Sequence, residues 1–263
     1  SNIIIKNCTI TRNKRGGIYC YESSKATITG CRFIHNGVFL QGHELSHFAS
    51  HIIENNTVNG KPLYYIVNFT SPYDVPSCVG QTIIANSRHI RLIDANLSYT
   101  DIGLEIAFST DITVMNCMIS RNIWNGIYCW SSSNIMITDC EINWNNLGIY
   151  CWYLLNAMIK NCIISQNVRS GFCCEGPGAY GIYSSNITIT DCKISQNNGS
   201  GICCGFTSNI IIKNCTIIQN RGGISCYESS KITIMNCKIS QKKRGISCER
   251  STKIMIKNCT ISQ

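Results

Sequence analysis

The sequence predicts an all-β chain wound as a parallel β-helix of about ten and a half coils. Three observations carry that prediction. A motif Ile-x-Ile-x-Asn/Asp-Cys-x-Ile recurs along the 263 residues. A second motif, Gly-Ile-x-Cys, follows it. Most successive motif cysteines lie 22 or 23 residues apart, a period that marks a solenoid.

The first motif occurs at 3–10, 112–119, 135–142, 187–194, 210–217, 232–239 and 254–261, with Val114 in place of one Ile. Looser copies lie at 26–33, 90–97 and 157–164. Within each copy the apolar residues alternate, which is the period of a strand. No stretch sustains the spacing of an amphipathic helix. A period of about 22 residues suits one full turn of a β-helix, with successive turns about 4.8 Å apart. The inward Ile of one turn then sits on the inward Ile of the next, and each fully buried Ile contributes roughly 1.5–3 kcal/mol.

The Asn before the motif Cys is assigned to the corner between strands, because Asn tolerates a left-handed backbone. Asn7, Asn116, Asn161, Asn214, Asn236 and Asn258 form this row, with Asp139 and Asp191 as substitutes. It is expected to be a buried ladder of side chains bonded above and below. Two spacings break the period: 30 residues from Cys162 to Cys192, and 86 from Cys31 to Cys117. Inserted loops are therefore expected at 60–79 and at 175–181, within a single domain spanning 1–263.

Composition agrees with this architecture. Charged residues make up only 14% and Pro only four positions, so strand pairing is seldom interrupted. The formal charge of +9 is dispersed, apart from short runs at Lys14–Arg15 and Lys242–Arg244. No basic helix or nucleic-acid motif accompanies it, so no nucleic-acid partner is expected. No apolar run reaches the length of a membrane span.

These repeats resemble the right-handed parallel β-helix proteins of the NosD-like, carbohydrate-associated type. The segments "NNTVNGKPLYYI", "VPSCVGQTIIANS" and "DIGLEIAFSTDITV" are similar to a recurring stretch of archaeal surface β-helix proteins. The resemblance implies a right-handed fold and an extracellular or cell-surface address. It implies no single chemistry. No separate Met or His cluster carries over a role in copper-enzyme maturation.

Nineteen cysteines are present, and most belong to the two motifs. Inward Cys packs as a small hydrophobe. Cys173 and Cys203 sit beside inward Cys174 and Cys204, so both are expected to point outward and are candidates for a disulfide across turns. A metal along the thiol ladder is weighed as a lesser alternative. No cofactor or metal is assigned.

"HELSH" at His43–His47 matches a zinc-binding pattern, which requires both histidines on one helix face. It lies between strand-like segments, so chance resemblance is preferred. Asp94, Asp101, Glu105 and Asp111 are the densest acidic group. Asp94 and Asp111 have structural explanations, and no catalytic residue is assigned. All four tryptophans fall between 124 and 152. Trp124, Tyr128, Trp130, Trp144, Tyr150 and Trp152 are expected to form an exposed contact surface. Sequons in loops or at outward positions make Asn68, Asn96, Asn186 and Asn198 the glycosylation candidates.

The sequence is accordingly read as an extracellular structural β-helix of a cell surface or filament, assembling with copies of itself without catalysis. Strand at both termini leads to the expectation of a longer or assembled β-helix with covered ends. The alternative is a carbohydrate-binding or polysaccharide-cleaving β-helix.

Overall fold

The computed structural model describes residues 3–176, 184–241 and 243–263. Short parallel strands wind into coils, and residues one period apart pair in register. Cys129 lies beside Cys151, then Cys174, Cys204, Cys226 and Cys248. Ile112, Ile135, Ala157, Ile187, Ile210, Ile232 and Ile254 form a second column. One face of the coils is an eight-stranded parallel sheet of three-residue strands, from Asn96–Ser98 to Thr260–Ser262. The apolar interior follows from alternation: Ile210 and Ile212 are buried while Asn209 faces solvent.

The coils do not form one stack. Strands of residues 4–58 pair among themselves: Thr27–Thr29 with Ile4–Lys6 on one side and Ile52–Glu54 on the other, and Ile18–Tyr21 with Val38–Gln41. Strand direction then reverses. Thr57–Val58 pairs antiparallel with the start of Lys61–Val67 through a two-residue turn. Asn59 and Gly60 occupy that turn with φ of 52° and 79°. Positive φ at both central residues matches the twist of a tight hairpin, and Asn-Gly supplies it at little steric cost. Lys61–Val67 pairs next with Gln81–Ala85, and Tyr73–Val75 with Arg88–Ile93, which opens a second, longer stack. The inserted loop expected at 60–79 is therefore mostly the first coil of that stack. Its strands lack the Cys motif, which hid them. Of the loop expected at 175–181, residues 177–181 lie outside the described residues.

The first stack docks on the outer face of the second. Ile18, Cys20, Val38, Leu40 and Phe48 share a buried cluster with Ile83, Ala85, Ala107, Tyr128 and Trp130, which point out of the longer stack. Polar side chains satisfy the free edge of Val38–Gln41. Gln81 exchanges hydrogen bonds with the Val38 amide and carbonyl, and the Leu40 amide donates to Glu105 at 3.2 Å. Asp101 accepts from the Gly17 amide at 2.6 Å. An unpaired strand edge buried without such partners would be costly.

Two asparagine rows brace the coils. The row before the motif Cys has positive φ throughout, from 51° at Asn161 to 57° at Asp191. Its side chains link between coils, as Asn116 does to Asp94 and Asn214 to Asp191 at 3.1 Å. This row faces solvent rather than being buried as expected, since its carboxamides project from the corner. A second row lies inside: Asn122, Asn145, Asn167, Asn197 and Asn220. Each accepts from the backbone amide of the residue one coil earlier, at 2.9–3.1 Å. The Cys-x4-Asn spacing was its sequence signal.

Candidate functional site: a cleft between two stacks

The outward column of the longer stack reads Glu105, Tyr128, Tyr150, Cys173, Cys203, Ser225 and Ser247 in register. The next outward column reads Ala107, Trp130, Trp152, Glu175 and Gly205. The first stack covers the early members of both columns and stops. Where it stops, a cleft of about 490 Å³ opens. Tyr19, Phe39 and Gln41 form its wall on the first stack, and Trp124, Tyr128, Tyr150 and Glu175 lie on the second.

The expected aromatic contact surface is thereby divided. Tyr128 is 1% exposed and Trp130 is 5% exposed, a correction to their expected exposure. They do point outward from their own coils, but the chain's first stack covers them. Phe39 meets Tyr128 edge-on at 5.4 Å, and Phe48 stacks on Trp130 at 6.4 Å. Tyr150 and Trp152 are half-buried beside them. Trp124 is 37% exposed and lines the cleft. Trp144 is 50% exposed in a separate groove with Gln166, Gln196 and Asn198, under the Arg121 guanidinium at 5.9 Å.

The cleft is polar at its far end. Tyr19 donates to Gln41. Tyr150 donates to Glu175 Oε2 at 3.1 Å. Burial, then the charge of Glu175, pushes the Tyr150 phenol pKa up. Arg169 adds a cation to the lining. The Tyr128 hydroxyl is buried without a hydrogen-bond partner among the described residues. Such a group costs free energy unless something satisfies it. Cys173 and Cys203 sit in register as free thiols, with no disulfide between them. Cys173 Sγ lies 3.7 Å from Glu175 Oε1.

The two histidines of the "HELSH" segment do not share a helix face. Its helix covers only Ser46–Ala49, so His43 lies outside it. His43 pairs with Glu22 at 3.3 Å, while His47 Nδ1 accepts from the His43 and Glu44 amides. The acidic group also disperses. Asp94 and Asp111 accept from ladder asparagines, and Asp101 and Glu105 are buried between the stacks. Asn68, Asn96, Asn186 and Asn198 are all exposed. The Asn186 carboxamide is engaged in both directions, donating to Asn156 and accepting from Asn209.

The family model for a right handed beta helix region matches residues 1–73, 77–177 and 173–263. The chain belongs to the right-handed β-helix family. No curated protein matches this β-helix by sequence. Among solved structures it is similar to the periplasmic alginate epimerase AlgG, at 16% identity and TM-score 0.56, covering 93% of this chain and 76% of that one. It is similar to pectate lyase Pel9A at 13% identity and TM-score 0.51, covering 95% and 69%. It also resembles PfbA, a surface adhesin of Streptococcus pneumoniae, at 11% identity and TM-score 0.52, covering 97% and 81%. Those likenesses describe the fold of this β-helix. Its cleft is built by its own two stacks. Tyr19, Phe39, Gln41, Arg169 and Glu175 were not selected from sequence, because nothing local places residue 19 opposite residue 150.

Proposed function

We propose that this protein is an extracytoplasmic β-helix that binds a glycan chain in the cleft between its stacks. The observation that carries the reading is the lining. Aromatic rings of Tyr19, Phe39, Trp124 and Tyr150 stand beside hydrogen-bonding groups of Gln41, Arg169 and Glu175. Apolar rings with a few placed polar groups suit a ligand that is apolar on its faces and hydroxylated at its edges. The fold neighbours named as an alginate epimerase, a pectate lyase and a surface adhesin support this reading and its extracytoplasmic address.

The test is calorimetry of the whole protein against a panel of oligosaccharides that includes uronic-acid polymers. Trp124→Ala removes an exposed ring, so the fold should persist while affinity for the bound glycan falls about tenfold or more, roughly 1.4 kcal/mol. Binding unchanged in that variant, or no glycan bound by the wild type, overturns the proposal.

A further inference from the structure

Two adjacent coils carry an outward cysteine where the same column otherwise carries Glu, Tyr or Ser. Cys173 and Cys203 pair in register on Phe172–Glu175 and Ser200–Gly205. Cys174 and Cys204, next to them, turn inward and are fully buried. The outward pair therefore packs no core, and the hydrophobic reading that explains the ladder cysteines does not explain these two.

Glu175 shares their face. The ligand atoms of Cys173, Glu175 and Cys203 all lie within 4.8 Å of one another. This is the one such cluster of three ligating side chains among the described residues. The residue paired with Glu175 on the next coil is Gly205. A Cβ at that position would come no nearer than ordinary van der Waals contact with Glu175 Cγ, at 3.7 Å. Tyr150, one coil earlier, donates to the other carboxylate oxygen at 3.1 Å and fixes its orientation. Cys173 is buried, while Cys203 and Glu175 are partly open.

We propose that Cys173, Cys203 and Glu175 bind a thiophilic divalent cation of the Zn2+ type, with a fourth coordination position open to the cleft. Two thiolates and one carboxylate form a donor set suited to Zn2+. Three protein ligands with one free position are the arrangement of sites that engage a water or ligand rather than of closed structural sites. Each thiol gives up its proton to solvent as its sulfur bonds the metal. Tyr150 acts as a positioning residue through Glu175. The site stands on these residues whatever the cleft binds, so its test uses metal alone.

The reduced, metal-free protein is titrated with Co2+ as a spectroscopic probe. One equivalent should give a thiolate-to-cobalt charge-transfer band with tetrahedral ligand-field bands, and Zn2+ should displace it. Cys173→Ser and Cys203→Ser should each abolish the band. Glu175→Gln and Tyr150→Phe should keep the fold and weaken binding about tenfold or more. Zn2+ should raise the melting temperature of the wild type and not that of Cys173→Ser. Cys78→Ser, an exposed cysteine outside the cleft, should change nothing. The proposal is overturned by an equal band in Cys173→Ser, by no band in the wild type, or by a native isolate in which Cys173 and Cys203 are linked as a disulfide.

Discussion

Trp130 and Trp152 stack in register on neighbouring coils, ring centroids 5.8 Å apart and planes 4° from parallel, yet only Trp130 is sealed from solvent. The two residues are chemically identical and occupy equivalent positions in the repeat. What separates them is the reach of the first stack. Phe48 and His43 lie against Trp130, whereas the aromatic neighbours of Trp152 among the described residues, Trp130, Tyr150 and Tyr153, all belong to its own stack. In the neighbouring column the same change falls between buried Tyr128 and half-buried Tyr150, and both of those line the cleft.

The boundary predicts unequal costs. Trp130→Ala opens a cavity between the stacks and should destabilise by about 3–5 kcal/mol. Trp152→Ala, half-exposed, should cost less than half of that. Denaturant unfolding of both variants checks the difference, and equal losses would contradict the docking described here.

Asp101 should make stability depend on pH. Burial pushes its carboxyl up to about 6, against hydrogen bonds from Gly17 and Asn36 that oppose the shift. Glu105, buried beside Leu40, is pushed in the same direction. The folded state therefore holds protons that the unfolded chain releases nearer pH 4. Stability should be greatest below that value and fall as pH rises toward 6, by about 3 kcal/mol for Asp101 alone. Asp101→Asn keeps the acceptor for the Gly17 amide and should flatten this slope. Thermal unfolding from pH 4 to 7 measures it.

The two asparagine rows should respond differently. Asn145 is buried, accepts from the Asn122 amide and donates to the Ile119 carbonyl. Asn145→Ala leaves those groups unpaired and should cost about 2–4 kcal/mol. Asn116 is exposed, and its backbone sits at φ 53°. Asn116→Ala should cost about 1–2 kcal/mol, mainly for a left-handed backbone. Asn116→Gly should recover most of that loss, and Asn145→Gly should recover none. Chemical denaturation of the four variants decides the matter.

The hairpin at Asn59–Gly60 is testable in the same terms. A Cβ at Gly60 would meet nothing within 4 Å, so Gly60→Ala probes conformation alone. At φ 79° it should cost about 1–2 kcal/mol. A cost near zero would show that the turn relaxes without disturbing the reversal.

The coil was legible in the sequence because each turn repeats one packing problem. Ile210, Ile232 and Ile254 recur at one period, and pairing in register follows from that recurrence. The left-handed corners were legible for the same reason, since Asn and Asp alternate at one backbone position. The inner asparagine row carried an equally regular signal, five residues after the motif Cys, and was overlooked. The Asn59–Gly60 reversal was also written locally, as a turn dipeptide between strand-like segments. The docking of one stack on the other was not. Inward positions recur and announce themselves, whereas Tyr128 and Trp130 carry no local mark of what covers them. Their burial depends on Phe39 and Phe48, some ninety residues away along the chain, and on a reversal that turns the first coils back against the second stack. Sequence determined the coil, because its interactions repeat between neighbours. Tertiary structure decided the cleft, because its two walls meet only once.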